Sequence, residues 1–219
     1  MDSSTASTGR TEMLLRCFSE PRLSTYLEHC AGDLDAALVL YDWNTALAGA
    51  VWEILAHVEI ALRNALAGGL HRRHENLRRA GSWLDNPARE LDSKAVGDIE
   101  VARRRVQTSG HDPSDGQTVS QLSFGFWRFL LARRYTNVWP DLASGFPHAP
   151  NRSRATIEEP VERLHTFRNR VAHHERIWHE PVAARYADMV TVLGYIDPDL
   201  AAWANASARL PNVLAARPT

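Results

Sequence analysis

The stretch that decides the fold covers residues 33–68 and reads DLDAALVLYDWNTALAGAVWEILAHVEIALRNALAG. It consists almost entirely of residues that favour helices, and apolar side chains recur in it at three- or four-residue steps. These side chains are Val51, Leu55, Val58, Leu62 and Leu66. Such a period places them on one stripe of a helix. The sequence therefore predicts a long core helix that is capped by Asp33, kinked near residues 42–44 and closed by Gly68-Gly69.

The rest of the chain predicts further helices, joined by short connections. Alternating strand patterns, internal repeats and glycine-rich phosphate loops are absent from the sequence. One expected helix starts at Pro21, and another follows a Thr156–Glu159 capping box. The other expected helices run from about Asp92 to Gln107, from a Thr118–Gln121 capping box to about Arg134, from Pro181 to about Gly194, and from Pro198 to Ala208. We predict an all-α bundle.

Length and composition set the expected organisation. A chain of 219 residues with 44% hydrophobic content can bury a proper core. We expect a flexible N-terminal segment at 1–18, a single all-α domain at 19–210 and a C-terminal tail at 211–219. The two cysteines, Cys17 and Cys30, lack a CxxC spacing, and the N-terminus lacks an apolar signal core. We also find no run of about eighteen apolar residues, so a cytoplasmic protein without a membrane partner is expected.

The charge pattern gives no global bias toward nucleic acid, because the net charge is -1. Lys94 is the only lysine, and many of the arginines occur in clusters. A GC-rich coding sequence explains the arginine excess without any function. The clusters also allow a local patch for an RNA backbone, because contacts with phosphates are local and independent of sequence.

The segment with the clearest chemistry is LHTFRNRVAHHERIW, residues 164–178. An arginine is a permanent planar cation suited to phosphate, and a histidine exchanges a proton near neutral pH, so together they suffice to cleave RNA without a metal. On a helix Asn169 projects about 40° from His173, and Arg168 flanks them on the same polar side. The opposite face carries an apolar stripe. On spacing alone, such a face is also typical of ordinary solvated surface.

A family resemblance strengthens the functional interpretation. The run RNRVAH at 168–173 matches the Arg-Asn-x-x-x-His signature of HEPN-domain ribonucleases, and AHHE at 172–175 continues it as in their Abi-like (abortive infection) branch. Three upstream blocks are similar to those of that family, in the same order, so that the resemblance extends from about Tyr26 to Leu210. The blocks are GD at 32–33 with LYDWN at 40–44, HVE at 57–59 with LRNA at 62–65, and SQLSFGFW at 120–127 with RRY at 133–135 and Trp139.

The resemblance implies a HEPN-like helical bundle with additional helices and a metal-independent endoribonuclease. It implies that Arg168, Asn169 and His173 are catalytic. Supporting candidates are His174, Glu59, Arg63, Asn64 and His165, and candidates for RNA binding are Arg163, Arg170, Arg133 and Arg134. No cofactor and no metal are expected.

One histidine cannot easily act as both acid and base, so a second is required. It is either His174 of the same chain or the partner's His173. We favour the partner's His173, because the resemblance to HEPN ribonucleases implies that two motifs pair across a homodimer. Expected products are a 2′,3′-cyclic phosphate and a 5′-hydroxyl. The resemblance also implies a toxin-like role in anti-phage defence, with an antitoxin protein as a further partner.

Several alternatives stay open on the sequence. Glu59 and Arg63 are spaced as an ordinary helix ion pair. Imidazoles for a zinc site are offered by His71, His74, His173, His174 and His179. A zinc site would need three or four converging ligands, whereas the adjacent His173 and His174 point about 100° apart on a helix. Trp43, Trp52, Trp127 and Trp139 lie in apolar runs, which predicts core positions. A catalytically silent HEPN module that binds RNA or nucleotides, or that serves assembly, is the alternative function.

Overall fold

The computed structural model describes residues 12–110 and 114–218, and every regular element in this part of the chain is a helix. This confirms the predicted all-α class. Residues 12–18 are helical and are called α1. The other α-helices are α2 (Glu20–His29), α3 (Leu34–Asn76), α4 (Ser93–Thr108), α5 (Asp115–Gln121), α6 (Phe124–Leu130), α7 (Trp139–Leu142), α8 (Arg154–Ala172), α9 (Val182–Ile196), α10 (Pro198–Ser207) and α11 (Leu210–Ala215), and short 3-10 helices lie at Trp83–Asp85, Arg133–Tyr135 and Ala143–Gly145.

The long helix α3 organises the fold. It has 43 residues, which at 1.5 Å per residue is roughly 65 Å. Its predicted start is confirmed, because the Asp33 carboxylate accepts a hydrogen bond of 3.1 Å from the Ala36 N–H, and the preceding Gly32 has a φ of 86° that suits a residue without Cβ. The helix continues without interruption through residues 42–44 and ends only at Asn76. The predicted end at Gly68-Gly69 is therefore wrong.

Gly69 in α3 serves a helix crossing rather than a helix end. A Cβ at Gly69 would lie 2.8 Å from the carbonyl oxygen of Asp141 in α7. Just after α7, a Cβ at Gly145 would lie 2.8 Å from the carbonyl oxygen of Ala65. Both distances are shorter than carbon and oxygen tolerate, so glycine at these positions allows the backbones to approach. The partner residues are distant in sequence, and for this reason the pattern Gly-Gly looks locally like a terminus.

The core forms around the apolar stripe of α3. Side chains along it have no exposed surface, and helices α2, α6, α8, α9 and α11 pack around the same helix. The stripe includes Leu47, Val51, Leu55, Val58, Leu62 and Leu66. By length and composition α3 could also cross a membrane, since an 18-residue window has a mean hydropathy of 1.4. In the structure 39% of that window is buried inside the chain, and Val39 and Ile60 of α3 are exposed.

Serine caps correct two predicted boundaries. Thr118 is buried inside α5, which Ser114 caps, and the segment predicted as one helix to Arg134 breaks before α6. The Ser123 hydroxyl caps α6 by accepting from the Phe126 N–H at 3.3 Å. Likewise, Ser153 rather than Thr156 caps α8, because its hydroxyl accepts from the Thr156 N–H at 3.2 Å. An earlier serine can start a helix wherever its hydroxyl reaches the N–H three residues on.

Both terminal regions of the described chain contain a helix. Of the expected flexible segment 1–18, residues 1–11 lie outside the described part, and 12–18 are helical. The residues expected as a tail contain most of α11, which docks on α3 through a 2.8 Å hydrogen bond from the Trp43 indole N–H to the Val213 carbonyl. The expected helices before it are confirmed as α9 and α10. Cys17 and Cys30 are both free thiols.

We expect Gly69→Ala to destabilise the fold by about 1–3 kcal/mol, because the added Cβ would overlap the Asp141 carbonyl. Gly97→Ala in α4 is the matched control, since a Cβ there meets nothing within 4 Å. It should stabilise the protein by about 0.5–1 kcal/mol. Chemical denaturation of both variants measures the difference, and equal effects would contradict the proposed helix crossing.

Candidate functional site

The Arg-Asn-x-x-x-His motif lies at the C-terminal end of α8. The helix ends at Ala172, and the backbone N–H of His173 donates to the carbonyl of Asn169 at 2.9 Å. The next residue, His174, has a φ of 55°, a left-handed conformation that is uncommon for residues other than glycine but more frequent for Asn, Asp and His. Both histidines are exposed. The motif thus turns away from the helix directly after the sequence that defines it.

Two hydrogen bonds fix the segment that follows α8. The buried side-chain oxygen of Asn44 in α3 accepts from the Ile177 N–H at 3.0 Å. From α2, the Arg22 guanidinium donates to the His174 carbonyl at 2.6 Å. One contact holds the His174 carbonyl and the other holds the N–H of Ile177, so the positions of His173 and His174 depend on side chains more than a hundred residues earlier.

The motif arginine is held by α3. Its guanidinium Nε donates to a Glu59 carboxylate oxygen at 2.9 Å, and the same guanidinium lies 5.1 Å from the centre of the Trp52 ring. The Arg168 and Glu59 side chains are 28% and 27% exposed, so solvent screens the attraction between their charges only in part. Glu59 therefore pairs with the motif helix, while the Nε of Arg63 donates to the Asn64 side chain at 3.4 Å. This arrangement fixes the cation at the surface between two helices.

An open groove of about 470 Å³ runs beside this arginine, between α3 and the end of α8. The residues that define it are Ala48, Gly49, Trp52, Arg168, Ala172 and His174. A neighbouring groove of about 350 Å³ is lined by both His173 and His174. The structure therefore brings Arg168 and His174 into one groove and places His173 in the adjoining one. His174 lines both grooves.

His165 and Asn169 form the next layer along α8. The Asn169 amide nitrogen lies 3.5 Å from Nε2 of His165, and the imidazole stacks on the Phe124 ring at 5.9 Å. Burial, and then the guanidinium groups of Arg128 and Arg168, lower the pKa of His165. A neutral imidazole can accept a hydrogen bond from the amide. His165 is thus placed to orient Asn169.

The arginines predicted to bind RNA are largely engaged with carboxylates. Arg163 makes two hydrogen bonds, of 3.0 and 2.6 Å, to Asp188 of α9. Arg170 lies 3.1 Å from Glu175 and 3.4 Å from Glu180, and Arg134 lies 2.5 Å from Asp92. Arg133 is exposed in the 3-10 helix at Arg133–Tyr135. These carboxylates offset much of the positive charge of Arg163, Arg170 and Arg134. RNA binding by the four arginines stays a prediction.

Trp52 is the residue that sequence reasoning misplaced. It was expected in the core with Trp43 and Trp127, which are 9% and 1% exposed, but it is 42% exposed at the groove. One sequence signal could have found it. Thr45, Ala48, Gly49 and Trp52 follow a spacing of three, four and seven residues, so they share one face of α3.

The histidines weighed as metal ligands lie apart in the structure. Nε2 of the buried His74 is 2.9 Å from the Gly81 carbonyl, His71 pairs with Glu75 at 3.3 Å, and His179 stacks on Trp178 at 3.7 Å. Within residues 12–110 and 114–218, three His, Cys, Asp or Glu side chains nowhere converge in the way that a metal ion requires. Each of these three imidazoles therefore has a local packing or hydrogen-bonding partner.

Comparison with known families assigns the chain. A sequence model described as "Abi-like protein" matches residues 15–179, which covers α2 to α8 and the loop that follows the motif. The chain belongs to the Abi-like family. Neither the curated proteins nor the solved structures gave a significant match to this Abi-like chain. The matched region contains the whole of both grooves.

In this Abi-like protein, Asn44→Ala should destabilise the fold by about 1–3 kcal/mol, because it leaves the buried Ile177 N–H without a partner. Asn212→Ala, at an exposed position of α11, is the control and should change stability by less than about 0.5 kcal/mol. Denaturant unfolding of both variants measures the effect. Equal stabilities would mean that Asn44 does not hold the loop.

The lowered pKa of His165 predicts a pH-dependent stability. The folded-state pKa lies below the unfolded value of about 6.5, so the neutral imidazole favours the folded state above that pH. This contribution is lost as the pH falls from the unfolded value through the folded one. Unfolding free energies measured between about pH 7.5 and 5 should therefore fall more steeply for the wild type than for His165→Gln. Parallel curves would show that the environment of His165 does not penalise its charged form.

Proposed function

We propose that this Abi-like protein is a metal-independent endoribonuclease of the HEPN type that acts as a toxin-like effector in abortive infection. The observation that carries the proposal is the placement of a fixed guanidinium, that of Arg168, in the same open groove as His174, with His173 in the adjoining groove. Membership of the Abi-like family supports the role in defence. Arginine with two histidines is a sufficient set of groups for cleaving RNA.

In the proposed reaction the ribose 2′-oxygen attacks the adjacent phosphorus. A histidine takes the 2′-hydroxyl proton as the new oxygen–phosphorus bond forms, and a second histidine protonates the 5′-oxygen as its bond to phosphorus breaks. Arg168 binds the phosphate and stabilises the negative charge that develops on its oxygens. The products are a 2′,3′-cyclic phosphate and a 5′-hydroxyl. Asn169, oriented by His165, holds the phosphate or the histidine.

The second histidine has two candidate sources. Within one chain, His173 and His174 are consecutive, and both line the smaller groove. In a homodimer, the partner's His173 would complete a composite site. The position of His174 beside Arg168 supports the single-chain pair, whereas two-fold pairing of the motifs is the arrangement that the HEPN resemblance implies. We propose a homodimer in the cytoplasm, restrained by an antitoxin, as the biological form.

The alternative is an RNA- or nucleotide-binding module without catalysis. One observation favours it: the charge of Arg168 is already paired with Glu59 at 2.9 Å. Such a pair can still bind an anion through its remaining N–H groups, but it stabilises a developing charge less than a free cation does. Binding without cleavage would then be the measured behaviour.

The test is cleavage of total RNA in EDTA by the wild type and by Arg168→Ala, His173→Ala and His174→Ala. We expect each essential substitution to lower the rate by about 10²–10⁴-fold. His71→Ala is the matched control, because this exposed histidine pairs with Glu75 near the far end of α3. RNA left equally intact by the wild type and the variants, at concentrations that support dimers, would sink the nuclease proposal.

Mixing experiments separate the two sources of the second histidine. If the site is composite, an excess of His173→Ala chains should lower the activity of the wild type, because a mixed dimer contains only one His173. Unchanged wild-type activity, despite exchange of subunits, supports the single-chain pair. Mapping of the 3′ ends as cyclic phosphates checks the chemistry independently.

A further inference from the structure

The groove between α3 and α8 has a second feature besides its charged groups. We propose that it binds an unpaired nucleobase of single-stranded RNA, stacked on Trp52, next to the phosphate that Arg168 holds. The choice of RNA as the ligand rests on the proposed function. In this arrangement the groove binds the base, and the Trp52 ring recognises it by stacking.

The shape of the groove suits a flat ligand. Ala48 of α3 and Ala172 of α8 leave the space open, because their side chains are small. The Arg209 guanidinium lies beside Gly49, 3.1 Å from where a Cβ would be. Thr45 and Trp52, on the same face of α3, are seven residues apart and so lie roughly 10 Å apart along the helix axis. The volume of about 470 Å³ falls within the range of about 300–1,000 Å³ that is usual for small-molecule sites.

The exposure of Trp52 is unexplained by packing. An indole normally buries most of its surface, as Trp43 and Trp127 do here, yet Trp52 is 42% exposed. Its ring lies 5.1 Å from the Arg168 guanidinium. An aromatic ring beside a planar cation is the combination on which proteins stack single-stranded bases while binding the adjacent phosphate. The pair therefore offers a stacking surface and a phosphate ligand at one place.

The same groove predicts little discrimination among bases. Besides Arg168, the hydrogen-bonding groups that line it are those of Thr45, His174 and the Trp52 indole N–H. These are too few to read the edge of a base uniquely. Stacking tolerates any base, because every base has a π-face. Bases in a duplex are already stacked on their neighbours, so loops and single strands should be the preferred substrates.

A second exposed tryptophan provides a matched control. Trp203 of α10 is 56% exposed, and its ring lies 4.8 Å from that of His57, outside the groove. Loss of an exposed indole there removes comparable apolar surface without touching Trp52 or Arg168. Any general effect on solubility or non-specific binding should therefore appear equally in both variants.

The experiment measures binding of the full chain to a fluorescent oligoribonucleotide with 2′-O-methyl groups, which cannot be cleaved because the attacking hydroxyl is blocked. Fluorescence anisotropy compares the wild type with Trp52→Leu, Trp52→Phe and Trp203→Leu. We expect Trp52→Leu to weaken binding about 5- to 100-fold. Trp52→Phe, which keeps an aromatic face, should bind within about threefold of the wild type, and Trp203→Leu should bind like the wild type. Thermal unfolding verifies that each variant folds.

A second probe tests the base itself. An oligonucleotide of the same length with abasic residues keeps the phosphates and loses the bases, so the wild type should bind it more weakly and Trp52→Leu should bind it no worse than the wild type does. The inference would be overturned if Trp52→Leu lowered the affinity for the intact and the abasic oligonucleotide equally. Unchanged affinity of Trp52→Leu for the intact oligonucleotide, or no binding of it by the wild type, would overturn it as well. Conversion of a dimer to a monomer by Trp52→Leu, with unchanged RNA affinity, would assign the groove to contacts between copies.

Failure of the nuclease proposal remains distinguishable from failure of this inference. Binding that depends on Trp52, by a protein that does not cleave unmodified RNA in EDTA, would keep the base site and remove the catalytic role. Cleavage that is unaffected by Trp52→Leu, with normal affinity for the oligonucleotide, would keep the nuclease and remove the base site.

Discussion

The arrangement of the motif depends on one buried hydrogen bond, from the Ile177 N–H to the Asn44 side chain. A buried backbone N–H without a partner costs about 1–3 kcal/mol, so the chain after α8 is held where the Asn44 oxygen lies. Asn44 sits on α3, which also carries the core stripe. Packing of the core and the position of the two histidines are therefore coupled through a single rigid helix. The turn at His174 can keep its left-handed conformation because both of its sides are tied down.

The Glu59–Arg168 pair has two opposing effects on the candidate site. The carboxylate fixes the guanidinium and thereby lowers the entropy lost when a phosphate binds. It also offsets part of the positive charge that the phosphate would meet. A guanidinium has five N–H donors, and one of them is used at 2.9 Å by Glu59. The remaining donors can face a ligand, so the pair acts as a support for the arginine as well as a competitor for it.

The sequence predicts the features that neighbouring residues determine. It does not predict the features that depend on contacts between residues far apart in the chain. The start of α3, the all-α class and the family follow from caps, periodicity and motif blocks within short windows. Gly69 was predicted to end α3, but a glycine is needed there because the carbonyl of Asp141, 72 positions later, packs against it. Trp52 was predicted in the core because it lies in an apolar run, although the small residues Ala48 and Gly49 share its face of α3. Glu59 pairs with Arg168 instead of Arg63 because of the way α8 crosses α3. A short stretch of sequence does not determine that crossing.

The loop that carries the histidines is closed by late parts of the chain as well as early ones. Arg217 lies 5.6 Å from the Trp178 ring, and Val213 accepts the indole N–H of Trp43, which neighbours Asn44. During translation these contacts cannot form until residues 213–217 have left the ribosome, well after the motif itself has been synthesised. In the order of synthesis, the packing around Trp178, four residues after His174, is therefore completed later than the motif.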